Sequence, residues 1–298
     1  ILSEKKVNNI FENINTITSQ IFSDWKIMTK KNFLIKHGHL RPNTYEITSL
    51  NYKDGYKDYF SKGTHKTLKS QKKRTKIKFL SQEKKLIDKF LKNSGLKLSC
   101  NEFFNYITES IKLREFSKYV FSKNIDLIFD NIKILSRRLD IPLEDTSFLK
   151  INQITDLYYN LSHHNLEKTL KREIANNKSD YNFNSSFKLP ETISSSNDIY
   201  YHFENQNKIN FVGNKSSFSE IVFLKTKNIK TDNIKNKIVC IESADPGYDF
   251  IFLHNIKGLI TKFGGVNSHM SVRCSELNVP AAIGVGEKKF KEISQSNK

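Results

Sequence analysis

"TKFGGVNSHMSVRCSELNVPAAIGVG", residues 261–286, decides how the rest of the chain is read. The short apolar run Gly258-Leu259-Ile260 leads into it and reads as a strand. Gly264 and Gly265 then let the backbone turn sharply, with positive φ where needed. Asn267 or Ser268 can cap a helix that begins at His269. Met270, Cys274 and Leu277 fall on one apolar face of that helix, and His269, Arg273 and Glu276 on the opposite one. Asn278 and Pro280 stop it. A lone imidazole therefore stands at a helix N-terminus, at the carboxyl end of a strand.

That position has a chemistry. Free N–H groups at a helix start attract anions, and the helix dipole disfavours a positive charge there. A neutral imidazole is a nucleophile. If His269 accepts a phosphoryl group, the resulting dianion can be stabilised by the helix end, Ser268 and Arg273. The same local pattern also admits a histidine that only caps or packs.

The flanking sequence supplies the frame. "INFVG", "SEIVFLKT", "KIVCIES", "GLIT" and "PAAIGVG" are short β-type runs. Between the last three lie two helical candidates, "GYDFIFLHN" and "HMSVRCSEL". This alternation predicts a compact α/β domain over 198–298. Residues 176–197, rich in Asn and Ser, read as a linker that could reach on the order of 70 Å when extended. The first 175 residues read as mainly helical. An apolar stripe runs through Ile10, Ile14, Ile17, Ile21 and Trp25, and Leu86 and Phe90 mark a second helix. "SCNEFFNYITESIKLREFSKYVFSKNIDLIFDNIKILSRRLDI" sustains three-four spacing over many turns, capped by Ser99 or Asn101 and closed before Pro142. "PLEDTSFLKINQITDLYYNL" adds one short helix.

Composition excludes several classes. No apolar run approaches the ~20 residues needed to span a membrane, and no signal peptide opens the sequence. Three scattered cysteines form neither a disulfide framework nor a zinc knuckle, so a reducing cytoplasm is expected. The chain starts at Ile1 rather than a methionine, which reads as a piece of a longer protein. Net charge is +18, with thirteen Lys/Arg against Glu83 and Asp88 in residues 62–97. That run reads as a solvated basic face or an anion-binding surface; it lacks interleaved aromatics, so nucleic acid is not the expected partner.

"GLITKFGGVNSHMSVRCSELNVPAAIGVG" resembles the phosphohistidine swivelling domain of enzymes related to phosphoenolpyruvate synthase and pyruvate phosphate dikinase. "KIVCIESADPGYDFIF" resembles the strand and Asp-Pro-Gly turn upstream in that family. The likeness covers roughly residues 208–290. It implies an α+β multidomain chain, a mainly helical acceptor-binding domain (1–175) followed by a swivelling β/β/α phosphohistidine domain (198–298). His269 is then the phosphoryl carrier, modified on Nε2, with Gly264, Gly265, Ser268 and Arg273 around the phosphate. The family's arginine six residues after the histidine is replaced here by Ser275.

"FLIKHGHLRPNTYEITSLNY" (33–52) is similar to an acceptor-side motif of rifampin phosphotransferases and related ATP-dependent kinases, with Asn43 in place of the usual glycine. "LREFSKYVFSKN" (113–124) also looks like a stretch of that region. Together these resemblances imply His39 as general base, Arg41 and Arg114 as phosphoryl neutralisers, Glu46 as a residue orienting His39 or binding an acceptor amine, and Tyr45 as a substrate contact. A loop ion pair of Arg41 and Glu46 is the alternative. Zinc at His37 and His39 lacks a third ligand at recognisable spacing. The combined motifs look most like L-glutamine kinases of capsule phosphoramidate biosynthesis. This implies ATP and Mg²⁺ on a preceding ATP-grasp domain, with L-glutamine as acceptor. Pyruvate, or a hydroxylated small molecule or antibiotic, is the alternative acceptor. A basic binding module is the non-enzymatic alternative.

Overall fold

The computed structural model describes residues 16–60, 79–159, 165–187, 189, 193–200, 209–213, 215–224, 231–266 and 268–296. The basic stretch 62–78, Ile10, Ile14, Asn267 and the His163-His164 pair lie outside the described residues. The chain divides into two compact units, one from residues 1–44, 50–124 and 209–298 and the other from 45–49 and 125–208. This partition cuts across the expected boundary between 1–175 and 198–298.

The first unit is organised by a five-stranded sheet. The strands are β1 (Asn210–Val212), β2 (Ile221–Phe223), β3 (Ile238–Ser243), β4 (Gly258–Phe263) and β5 (Ala281–Ile283). Their order is β1-β5-β4-β3-β2, with β1 antiparallel to β5 and the other pairs parallel. Val239, Cys240 and Ile241 of β3 are consecutive and all buried. Both faces of that strand are therefore covered, as a parallel sheet demands. Each of the five apolar runs forms one of the five strands.

The covering layer comes from the N-terminal part of the chain. Helices α1 (Ile21–Ile27), α2 (Lys30–His37) and α3 (Tyr56–Phe60) contribute to it. Ile21, Phe22, Phe33, Tyr52, Tyr59 and Phe60 share one buried cluster with Val239, Ile241, Tyr248, Phe250 and Phe252. Each such side chain contributes about 1.5–3 kcal/mol on burial. The stripe through Ile17, Ile21 and Trp25 thus faces the sheet domain: Ile21 is buried, and Ile17 and Trp25 pack against the cluster.

Polar contacts follow the same seam. The Tyr52 hydroxyl donates to the Gly247 carbonyl at 2.9 Å, and the Thr231 hydroxyl to the Asp58 carbonyl at 2.7 Å. The Ser243 hydroxyl reaches Asn43 Oδ1 at 2.8 Å. A Cβ on Gly247 would fall 1.8 Å from the Arg41 carbonyl oxygen, so the backbones touch directly there.

Two helices follow. In α4 (Ser81–Asn93) the buried pair is Ile87 and Leu91, against Cys100, while Leu86 and Phe90 are exposed. The expected stripe is one position off, because two i,i+4 apolar pairs lie side by side. The residues that select between them, Cys100, Phe103 and Phe104, arrive only with the next helix. That helix, α5 (Cys100–Arg138), runs as predicted, and Ser99 rather than Asn101 receives the Glu102 N–H at 3.3 Å.

The second unit holds α6 (Leu143–Thr146), α7 (Ile151–Thr155), a 3₁₀ turn (Asp156–Tyr158) and α8 (Leu166–Ser185). Two short helices and a turn therefore replace the single helix expected after Pro142. Ile141, Leu170 and Ile174 form its buried cluster. Helix α8 also occupies residues 176–185 of the expected linker. Asn177 shows why composition misleads: its side-chain amide donates to the Phe148 carbonyl and to Gln153 Oε1, both at 2.8 Å. Among the described residues no helix is long and apolar enough to cross a membrane.

Candidate functional site

Helix α9 (His269–Leu277) starts where expected. The Ser268 hydroxyl accepts the Ser271 N–H at 3.3 Å, and the Ser268 N–H donates to the Gly265 carbonyl at 3.0 Å. Asn278, left-handed at φ 57°, ends the helix. Gly264 has φ 137°, and a Cβ there would lie 2.7 Å from the Ala244 side chain. Gly265 has open space around it. The first glycine is thus needed for packing, and the second leaves room beside the helix start.

The main correction concerns the face of α9. Arg273 is not turned to solvent with His269 opposite the apolar stripe. Its side chain is 1% exposed and lies between the Phe22 and Phe252 rings, 5.8 and 5.9 Å from their centroids. Its Nε donates to Asp249 Oδ1 at 2.9 Å and its Nη1 to Glu276 Oε2 at 2.6 Å. His269, one turn earlier, places Nε2 3.1 Å from the same Asp249 Oδ1. The His269 side chain is 9% exposed and the Asp249 side chain 1%.

Asp249 sits in a nine-residue 3₁₀ helix, Pro246–His254, at the helical candidate "GYDFIFLHN". Long 3₁₀ runs are uncommon. Their period of three puts Asp249 and Phe252 in one row, and both meet Arg273. Burial pushes the Asp249 carboxyl up, but Arg273 and His269 outweigh it and hold it below the ordinary aspartate value. Asp249 Oδ2 and Arg273 Nη2 are buried with no hydrogen-bond partner among the described residues.

Asp245 caps the start of the 3₁₀ helix, as its Asp-Pro-Gly setting suggests. Its Oδ1 accepts the Gly247 N–H at 2.7 Å, and its Oδ2 accepts the Thr44 hydroxyl at 3.0 Å. Burial raises its pKa, against the pull of those donors. The loop 41–44 is therefore seated on the Asp-Pro-Gly turn. Asn43 has φ 52°, a left-handed conformation that asparagine adopts more readily than most residues. Arg41 is buried in this seam.

Among the described residues, none of the other sequence-selected residues shows a hydrogen bond to His269. The His39 ring meets Tyr119 edge-on at 4.7 Å. His37 is buried with Nε2 2.8 Å from Asp24. The Arg114 side chain is 58% exposed and pairs with its neighbour Glu115 at 2.9 Å. Tyr45 and Glu46 belong to the second unit; Tyr45 is exposed, and Glu46 accepts the Thr48 hydroxyl at 2.6 Å. Among the described residues no cluster of three His, Cys, Asp or Glu could hold a metal.

Asp249 is the functional candidate that sequence reading missed. Its signal was present: one charge inside the apolar run "GYDFIFL". Such a charge needs a buried partner. The partner lies 24 residues on, at Arg273.

No curated protein matches the chain. Residues 234–296 match the family model described as PEP-utilising enzyme, mobile domain. The matched segment contains β3, β4, β5, the Asp249 helix and His269, and its match supports the PEP-utilising enzyme superfamily and, with it, a phosphotransferase.

Proposed function

We propose that this chain is the histidine-carrying part of an ATP-dependent, dikinase-type phosphotransferase. The observation that carries the reading is His269 at the start of α9, inside the segment that matches the mobile-domain family and held by Asp249. The ring attacks phosphorus as a nucleophile, forming an N–P bond while a phosphoanhydride P–O bond breaks. Asp249 orients the ring and neutralises charge that develops on it. Arg273 keeps Asp249 ionised. N–H groups of the first turn of α9 face the transferred oxygens.

ATP and Mg²⁺ belong, in this proposal, to an ATP-grasp domain outside these residues. Arg41, His39 and Glu46 serve the acceptor, whose best candidate is the amide nitrogen of L-glutamine, giving AMP and phosphate as the other products. Arg41 and Asn43 lie in the same compact unit as His269, which suits transfer without long travel between those two points. Movement of the unit is then needed only toward the ATP site.

The test combines the chain with an ATP-grasp partner domain and labelled ATP. His269 should acquire an acid-labile, base-stable label, and His269→Ala should lose it. Equal labelling of wild type and variant would reject the reading. Phosphorus NMR of the released product separates an N–P bond, expected for glutamine, from the O–P bond of a hydroxylated acceptor.

A further inference from the structure

We propose that helix α5 is the pairing surface of a homodimer, in which two copies of this chain join through their α5 helices, parallel and in register. The inference stands apart from the reading of His269, and its failure would leave that reading untouched.

The argument starts from spacing. Tyr106, Leu113 and Val120 stand on α5 at intervals of seven residues, and all three are exposed, as are Phe116 and Phe121. The spacing continues at Leu127 and Ile134, also exposed, on the part of the helix that belongs to the second unit. A different side of the helix holds it to the first unit. That side carries Tyr119 and Ser122, both buried, and the Tyr119 hydroxyl donates to the Lys36 carbonyl. An ideal straight α-helix drifts by about 20° per seven residues against an exact seven-residue repeat. A row of this period therefore stays in line when the helix winds around another helix, which names a helix as the partner.

The neighbouring positions select a second copy. Four residues after each of the first three apolar side chains comes a small or polar one: Ser110, Ser117 and Asn124. In a parallel, in-register pair these meet their own counterparts across the two-fold axis. Serine there lets the backbones approach, and an asparagine at such a position specifies register and the number of strands.

The edges of the seam agree. Across a parallel pair, a residue on one edge faces the residue five places on from its counterpart, on the other edge. Glu109 then meets Arg114 of the second copy, an opposite charge, and Phe116 meets Phe121 of the second copy. Within the chain Glu109 pairs with Lys112 at 2.7 Å and Arg114 with Glu115 at 2.9 Å. Exposed pairs of this kind are weak enough to exchange. In an antiparallel pair like edges meet, which keeps Glu109 and Arg114 apart. The charge pattern therefore favours the parallel arrangement.

Sedimentation of the full chain over a dilution series should show a species of twice the chain mass that dissociates on dilution. A monomer throughout, whether the row is covered by another part of the chain or by an unrelated protein, overturns the proposal. Leu113→Asp combined with Val120→Asp should weaken the dimer about a hundredfold while helical circular dichroism is kept, since both side chains face outward. A folded variant that dimerises as well as wild type overturns it. Glu109→Arg should weaken the dimer about tenfold by setting like charges together in two symmetric pairs, and adding Arg114→Glu should restore it. Failure to restore overturns the parallel register. Ser117→Cys should yield a covalent dimer on mild oxidation, with wild type as control because Cys100, Cys240 and Cys274 are buried. No cross-link overturns the in-register pairing.

Discussion

At position 249 a single carboxylate meets His269 and Arg273, which lie 20 and 24 places further along the sequence, and its charge balance sets the local energetics. Removing one member of a buried pair leaves the other charge uncompensated, at a cost of about 3–5 kcal/mol. Arg273→Ala should lower stability by that order in a denaturant titration, although the residue touches no solvent. The pH dependence has a definite sign. Asp249 ionises more readily folded than unfolded, so its contribution is complete above the ordinary value of 3.8 and fades as pH falls through its lower folded-state pKa. Asp245 opposes this: its carboxyl is raised, so its ionisation weakens the fold as pH rises past 3.8. Acid melting of wild type against Asp245→Asn separates the two, with the variant losing the opposing trend and keeping the loss at low pH.

Among the elements, what could be read from sequence depended on whether the deciding partner was local. The five strands and α9 were legible because β-branched runs, paired glycines and a Ser-His start are all short-range signals. Helix α10 (Glu287–Gln295) was not anticipated, since only Phe290 and Ile293 mark its inner face. Helix α4 offered two overlapping apolar pairs, and only contact with Cys100 chose between them. Leu91→Ala should therefore cost about 2–5 kcal/mol, and Phe90→Ala no more than about 0.5 kcal/mol, by urea unfolding. Equal losses would show that the exposed ring is buried by something in solution. At the candidate site, His269 and its cap were readable, whereas the inward turn of Arg273 was not. An arginine four residues after a histidine looks solvent-facing until Asp249 and Phe22 close over it.

Taken as a whole, the chain keeps residues 16–44 and 50–60 in one unit with the sheet and the segment that matches the mobile-domain family. Phe22, Tyr52, Tyr59 and Phe60 are buried in the same cluster as Tyr248, Phe250 and Phe252. Residues 198–298 expressed alone should expose those aromatics, bind hydrophobic dye and melt without a cooperative transition. A sharp thermal transition matching that of the full chain would show that the sheet domain is self-sufficient. Composition did not reveal this arrangement, because the aromatics of 16–60 look like the core of a separate helical domain until their partners across the sheet are known.

The contact at Gly247 has a practical corollary. Its missing side chain is what lets the Arg41 backbone lie flush against the turn before Asp249. Any bulkier residue at 247 acts as a wedge that prises the motif off its seat while sparing every ionisable group nearby. The glycine thus works as a keyhole through which the coupling of the two halves can be broken by shape alone.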